Sequence, residues 1–94
     1  MTEMLQYLET VIQERRTNPS PESYTATLFA AGENRIAQKL GEEAIEVIVA
    51  ALGQNRSAQV DEFADLFYHA LVLMARLDIS LADVCAELER RHRA

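Results

Sequence analysis

Residues 41–52, GEEAIEVIVAAL, combine the pattern of a core-forming helix with three glutamates near its start. The apolar residues recur at the spacing of a helix that buries one face. Each helical residue turns about 100° from the one before it, which places Glu43 inside the apolar stripe, Glu46 at its edge and Glu42 further round. The stripe consists of Ile36, Leu40, Val47 and Ala50. A helix that faces the core therefore carries carboxylates where hydrocarbon is expected.

The rest of the chain repeats the helical pattern. Five periodic segments, separated by short stretches that hold the glycines and prolines, predict an all-α compact bundle of four to five helices. We expect helices over residues 3–16, 24–31, 34–52 and 57–77, and a fifth that begins at the capping residue Ser80. The length of 94 residues predicts one domain, residues 1–94.

The fourth predicted helix is apolar around nearly its whole circumference. Its apolar residues include Phe63, Leu66, Phe67, Tyr68, Leu71, Val72, Leu73 and Met74. A helix of this kind is buried on most sides, and so short a chain has too few other elements to cover it. We therefore expect a homo-oligomer, most simply a dimer.

Composition sets aside several classes of function. The net charge is −6, whereas nucleic-acid surfaces need clustered Lys and Arg. No apolar run approaches the ~20 residues that span a bilayer, and the acidic start of the chain is unlike a signal peptide. The lone cysteine, Cys85, lies among apolar residues and is interpreted as inert packing. We expect a cytoplasmic protein that binds neither nucleic acid nor membrane.

The fourth helix carries a second pair of acids. Glu62 and Asp65 are three residues apart and so share a face. If that face packs against Glu43 and Glu46, four carboxylates converge. Unpaired buried carboxylates are unfavourable, and a divalent cation with oxygen ligands resolves the problem. The pattern predicts a site for Mg²⁺ or Mn²⁺, and several carboxylates could hold a pair of ions that assists phosphoryl displacement.

Each of these residues also has a purely structural interpretation. An acidic cluster on a helix is usually a solvated face, although two pairs on apolar faces argue against that here. Lys39 precedes Glu43 by four residues and could simply pair with it. His69, four residues after Asp65, is interpreted as a hydrogen-bonded core or rim residue rather than a metal ligand.

The two acidic pairs resemble the metal-binding signature of the all-α nucleotide pyrophosphohydrolase superfamily. Three segments narrow the resemblance to the phosphoribosyl-ATP pyrophosphohydrolase family of histidine biosynthesis: SYTATLFAAGENRIAQKLGEEAIEVIVAA, EFADLFYHALVLM and ISLADVCAELERRH. The similarity covers residues 5–92. It implies an all-α NTP pyrophosphatase-like bundle and Mg²⁺-dependent hydrolysis of phosphoribosyl-ATP between its α- and β-phosphates, which yields phosphoribosyl-AMP and pyrophosphate.

The resemblance also implies roles for the acids. Glu43, Glu46, Glu62 and Asp65 match the family's metal ligands. Glu42 matches the first acid of the family's EExxE run and would bind metal or orient water. Metal and one of the glutamates Glu42, Glu43 and Glu46 would activate the attacking water.

Substrate contacts follow from the same resemblance. Arg35 and Lys39 match basic positions before the glutamates and would contact phosphates, as a planar fork and as a point charge respectively. Ser23, Tyr24 and Thr25 match the family's SYT stretch, so their hydroxyls would bind phosphate or ribose. Helix capping is an equally good interpretation of Ser23.

Two further expectations concern the surroundings of the site. The segment TNPSPES, residues 17–23, is the longest one without a helical pattern and is interpreted as a mobile lid. The cyclohydrolase of the next step, fused to this activity in many organisms, would be a separate chain, because the sequence holds no second domain.

Three alternatives remain open at the level of sequence. A house-cleaning pyrophosphatase for non-standard or deoxynucleoside triphosphates would share the metal motif but not the SYT and IAQKLGEE segments. A ferritin-like di-iron bundle would favour Glu-x-x-His pairs, whereas both pairs here are carboxylates. A non-enzymatic helical interaction module would expose the acids, bind no metal and tolerate their neutralisation.

Overall fold

The computed structural model describes residues 2–93 and consists of five α-helices. They are α1 (Thr2–Thr17), α2 (Tyr24–Ala31), α3 (Glu33–Gly53), α4 (Arg56–Arg76) and α5 (Leu81–His92). No strand occurs within residues 2–93, so the predicted all-α class is confirmed, and each predicted boundary lies within one residue of the observed one. Within the same range no helix has the length and hydropathy needed to cross a membrane.

Side-chain caps explain where three of the helices begin. The oxygens of Ser23 and Asn55 accept hydrogen bonds from the backbone N–H three residues on, at 3.1 and 2.9 Å. Ser80 and Asp83 form a reciprocal capping box at the start of α5. These bonds satisfy N–H groups that have no partner inside the helix. In the capping box, the hydrogen bond from the Ser80 backbone N–H holds the pKa of the Asp83 carboxyl below its usual range, and the Ser80 hydroxyl lowers it further.

Gly32 separates α2 from α3. Its backbone has φ 99° and ψ 173°, a conformation that is essentially restricted to glycine. Its N–H donates to the carbonyls of Leu28 and Phe29 at 3.3 and 3.2 Å, which closes the last turn of α2. The prediction that α2 stops at Gly32 is therefore confirmed, and the turn lets α3 leave in a new direction.

Helices α3 and α4 form the most extensive helix pair, and α1 and α2 pack across it. The buried core contains Ile12, Leu28, Ile36, Leu71 and Val72. These residues come from all four helices, so the core fixes how α2 and α4 lie relative to α3.

Polar contacts tie α1 to the end of α4 and to α5. The Arg16 guanidinium donates to the Ala75 carbonyl at 2.6 Å and to Asp78 at 3.0 Å. The Leu81 N–H donates to the Glu9 carboxylate at 2.7 Å. Together they hold the turn between α4 and α5 against α1.

The interpretation of Cys85 as buried packing is wrong. Cys85 is exposed, and no described residue of α5 is buried. Its apolar neighbours Val84 and Leu88 are 38% and 50% exposed. The reason is that α5 contacts mainly α1, so part of its apolar stripe is left uncovered by the described helices.

Candidate active site

Three carboxylates converge where α3 meets α4. Glu43 of α3 and Glu62 and Asp65 of α4 each offer an oxygen, and these oxygens lie within 4.8 Å of one another. Glu43 is only 8% exposed, so the helical wheel placed it correctly on the buried face of α3. A set of convergent carboxylate oxygens suits a hard divalent cation such as Mg²⁺ or Mn²⁺. The donor set is therefore compatible with a metal ion.

Glu46 lies beside this group rather than in it. Its side chain is exposed, whereas Glu62 is partly buried. Burial raises the pKa of the Glu62 carboxyl, and the charges of Asp65, Glu46 and Glu43 raise it further. Glu46 is thus close enough to act on Glu62 electrostatically, and the repulsion among the acids is the kind that a cation relieves.

Two basic residues flank the acids on α3. Lys39 Nζ lies 3.2 Å from Glu43 Oε1 and 3.7 Å from Glu42 Oε1. Arg35 Nη1 lies 3.8 Å from Glu42 Oε2. The hydrogen bond to Glu43 raises the pKa of the Lys39 ammonium, against the opposing effect of burial. A positive charge therefore stands next to the converging carboxylates, and Glu42 faces the basic residues.

The three residues of the SYT stretch have different surroundings. The Ser23 hydroxyl caps α2, as its structural interpretation anticipated. Thr25 is buried and its hydroxyl contacts that of Tyr68 on α4. Tyr24 is 48% exposed, and its Oη lies 2.9 Å from Nε2 of His69. Of the three side chains, Tyr24 is thus the one most open to a ligand.

His69 is buried and hydrogen-bonded, as its spacing predicted. Its Nδ1 lies 2.7 Å from the backbone carbonyl oxygen of Asp65, one turn earlier on α4. The link from His69 to Tyr24 was not predicted, because nothing in the sequence pairs α2 with α4. The only signal was the i+4 spacing from Asp65, which places the ring against the preceding turn.

A groove on another part of the surface lies away from these residues. It has a volume of about 720 Å³ and runs between α1 and the turn that follows α4. Residues that line it include Gln13, Glu14, Met74 and Asp78. Because it contains none of the converging acids, we locate the site by its chemistry and not by the size of the depression.

Comparison with known proteins now decides the family. The model of the family described as phosphoribosyl-ATP pyrophosphohydrolase matches residues 5–92. The chain belongs to the phosphoribosyl-ATP pyrophosphohydrolase family. A phosphoribosyl-ATP pyrophosphatase of Pyrobaculum islandicum is 54% identical over 91 residues, which are 97% of each chain. One of Agrobacterium fabrum is 51% identical over 84 residues, 89% of this chain and 78% of the relative.

A third relative carries the domain within a longer protein. The histidine biosynthesis bifunctional protein of Gloeobacter violaceus is 48% identical over 83 residues, 88% of this chain but 37% of that protein. As a member of the phosphoribosyl-ATP pyrophosphohydrolase family, the chain is an enzyme of the hydrolase class. Membership decides against the di-iron bundle and the non-enzymatic interaction module.

Proposed function

We propose that this chain hydrolyses phosphoribosyl-ATP between its α- and β-phosphates, releasing phosphoribosyl-AMP and pyrophosphate in histidine biosynthesis. The observation that carries the proposal is the convergence of Glu43, Glu62 and Asp65 beside Lys39, in a chain whose family match spans residues 5–92. We assign the activity to one domain, residues 1–94. The names of the relatives supply the substrate and the pathway.

The metal proposal extends the observed cluster by one residue. Glu43, Glu62 and Asp65 would hold Mg²⁺, or Mn²⁺ in its place, and Glu46 would complete the set by a rotation of its exposed side chain. When bound, such an ion neutralises phosphate charge and makes water more acidic. One of the glutamates Glu42, Glu43 and Glu46 would accept a proton from the attacking water. Glu42 would orient that water from the same helix.

The charges around the cluster favour a phosphate chain as ligand. A triphosphate approaches three carboxylates only when positive charge screens them. Lys39 and Arg35 supply fixed positive charge on α3, and we propose that they contact the phosphates. The start of α2 would bind the remainder of the nucleotide. The hydroxyls of Ser23 and Thr25 already have hydrogen-bond partners within the protein. Their contact with the ligand therefore stays a prediction.

We further propose that the working enzyme is a homodimer. Apolar stripes on the sides of α3 and α4 that face away from the acids are exposed; they consist of Ile45, Ile48, Val49, Leu52, Val60, Phe63 and Phe67. A compact chain of 94 residues has a radius of gyration of about 12 Å, whereas this chain has 14.4 Å. A second copy packed on these stripes would bury them and complete the core.

The decisive experiment measures pyrophosphate release from phosphoribosyl-ATP with and without Mg²⁺. We expect release that depends on Mg²⁺ and that falls at least about 100-fold in Glu46→Gln and Asp65→Asn, since losing even an outer partner of a metal ligand costs about 10–100-fold. Asp61→Asn is the matched control, because it removes one charge from α4 beside the cluster but not in it.

Other outcomes would revise separate parts of the proposal. Pyrophosphate release from non-standard nucleoside triphosphates, but not from phosphoribosyl-ATP, would leave the proposed metal site in place and contradict the proposed substrate. Activity that survives thorough chelation would show that the hydrolysis does not require a metal ion. Full activity in Asp65→Asn would remove the convergent carboxylates from the mechanism.

A further inference from the structure

The Lys39 ammonium contacts the most deeply buried of the three converging carboxylates. Its Nζ lies 3.2 Å from Glu43 Oε1, and the Glu43 side chain is only 10% exposed. Within residues 2–93, no other Lys, Arg or His forms an ion pair with Glu43, Glu62 or Asp65. Lys39 therefore supplies the direct positive contact that these acids receive from the described part of the chain.

The proposed metal site uses the same carboxylate. Glu43 offers one of the three oxygens that lie within 4.8 Å of one another, and we assign these oxygens to Mg²⁺. An ammonium and a divalent cation on one carboxylate repel each other, and water screens this repulsion only weakly around so buried a side chain. Lys39 thus has to leave Glu43, or loosen its contact, when the acids bind a metal ion.

The side chain of Lys39 is able to move away from Glu43. It is 25% exposed, and a lysine carries its charge at the end of a flexible stem. Glu42 Oε1 lies 3.7 Å from the same Nζ, and the Glu42 side chain is 46% exposed. Lysine four residues before glutamate is also the weaker order for an ion pair on a helix. The contact with Glu43 can therefore break with a small loss of stability.

A phosphate chain is a strong partner for the ammonium that leaves Glu43. Phosphate oxygens are charged acceptors, and the ammonium has three donors and no acceptor. Because Nζ already lies beside Glu43, it can turn to a phosphate at the acids without any change in α3. Release of Lys39 thus serves two ligands, since it frees the carboxylate for a metal ion and the ammonium for a phosphate.

We propose that Lys39 is a tethered cation that neutralises Glu43 in the substrate-free protein, and that a metal ion and a phosphate chain displace it together. Either ligand alone has to break the contact between Lys39 and Glu43, whereas the second ligand finds it already broken. Their binding is therefore coupled, and each raises the affinity for the other by the same factor. Lys39 is in this way a positioning residue that disfavours a free metal ion and favours one that arrives with phosphates. The inference deepens the proposed function and rests on its metal site.

Calorimetric titration with Mg²⁺ alone tests the role of the tethered charge. Lys39→Met keeps an unbranched side chain without the charge, and it should bind Mg²⁺ at least about threefold more tightly than wild type, the effect of one ion pair. Lys39→Arg keeps the charge and should stay within about twofold of the wild-type affinity. Arg35→Met is the matched control, because Arg35 lies 3.8 Å from Glu42 on the same helix but forms no ion pair with the three acids.

Three results of this titration would overturn the inference. Mg²⁺ affinity in Lys39→Met that equals the wild-type value, or falls below it, would show that Lys39 does not oppose the metal ion. Equal tightening in Arg35→Met would assign the effect to net charge instead of the contact with Glu43. Equal tightening in Lys39→Arg would show that the charge is not the cause.

Nuclear magnetic resonance of the lysine side chain follows the contact in the wild-type protein, so this test does not depend on the folding of a variant. Lys39 is the only lysine in the sequence, and selective labelling therefore reports on this one residue. We expect a restrained side chain in chelator and a more mobile one at saturating Mg²⁺. Addition of pyrophosphate, the product of the proposed reaction, should restrain it again at a different chemical shift. A signal that responds to neither Mg²⁺ nor pyrophosphate would overturn the inference.

These measurements separate the inference from the proposed function. If Lys39→Met binds Mg²⁺ more tightly but the wild type does not hydrolyse phosphoribosyl-ATP, the inference stands and the proposed substrate is contradicted. If hydrolysis depends on Mg²⁺ but Lys39→Met binds Mg²⁺ as the wild type does, the proposed function stands and the inference fails. If the wild type binds no Mg²⁺, the proposed metal site and the inference fail together.

Discussion

At the scale of single residues, the site combines three carboxylates that repel one another with one ammonium group that offsets part of this repulsion. Glu43, Glu62 and Asp65 are brought together by the packing of α3 on α4, but Lys39 pairs with only one of them. The raised pKa of Glu62 reports that its ionised form is disfavoured in the folded protein. In the absence of a cation, repulsion among the acids therefore lowers the stability of the folded protein.

Neutralising Glu62 tests this balance. The folded protein binds the Glu62 proton more tightly than the unfolded chain does, so stability present at acid pH is lost as pH rises through the folded pKa. At pH 7 in a chelator, Glu62→Gln should therefore melt at or above the wild-type temperature. Added Mg²⁺ should raise the melting temperature of wild type but not of the variant.

Differential scanning calorimetry makes this measurement, and Glu89→Gln on α5, outside the two helices that carry the acids, serves as its charge-matched control. A melting temperature for Glu62→Gln that is clearly below wild type in the chelator would show that the ionised carboxylate stabilises the fold. An equal response of both proteins to Mg²⁺ would remove Glu62 from the metal site.

At the scale of elements, backbone geometry and caps decide where the helices stop and start. Gly32 takes a conformation that other residues avoid, and Ser80 with Asp83 closes the first turn of α5. These features set where each helix begins or ends. They are local, which is why the helix boundaries could be predicted closely from the sequence.

Two glycine substitutions should have opposite effects. Gly32→Ala meets no steric clash but forces a side chain into the positive-φ region, and it should destabilise the fold by about 1–3 kcal/mol. Gly41→Ala lies inside α3, also with open space around the new methyl group, and should stabilise by about 0.5–1 kcal/mol. Chemical denaturation of both variants measures the two changes in the free energy of unfolding. Effects of the same sign would contradict the assignment of strain to Gly32.

The capping box of α5 should make stability depend on pH. The folded pKa of Asp83 lies below its usual value, so its contribution is present above about pH 4 and is lost as pH falls through the folded pKa. Asp83→Asn should lower the melting temperature at pH 7 but not near pH 2. Ser80→Ala should cost about 1 kcal/mol at pH 7.

Glu89→Gln on the same helix is the control for this experiment, because its carboxylate is not part of the box. Equal destabilisation by Asp83→Asn at both pH values would show that shape, and not ionisation, accounts for the effect.

At the scale of the whole molecule, exposed apolar surface is the dominant feature. Ile48 is 57% exposed on α3 and Phe67 is 51% exposed on α4. At about 100° per residue, helical spacing turns both away from Glu43 and Glu62. The expectation that one chain cannot cover the fourth helix agrees with these exposures. The dimer itself stays a proposal.

Charged substitutions on this surface test the proposed dimer. Ile48→Glu and Phe67→Glu would each place a charge in the interface, and both should convert a dimer to a monomer in light scattering at micromolar concentration. Met4→Glu is the matched control, since Met4 is 64% exposed on α1 outside the stripes. A wild-type protein that is monomeric at all concentrations would overturn the proposal.

The helices, their ends and the placement of Glu43 on a buried face could be predicted from the sequence, because they follow from spacing within one segment and from local caps. The sequence also determined the family, through segments that cover nearly the whole chain. The separation of Glu46 from the group formed by Glu43, Glu62 and Asp65 became visible only in the folded structure, since it depends on how α3 packs on α4. The exposure of Cys85 and the contact of Tyr24 with His69 likewise depend on which helices become neighbours, and no local pattern encodes that.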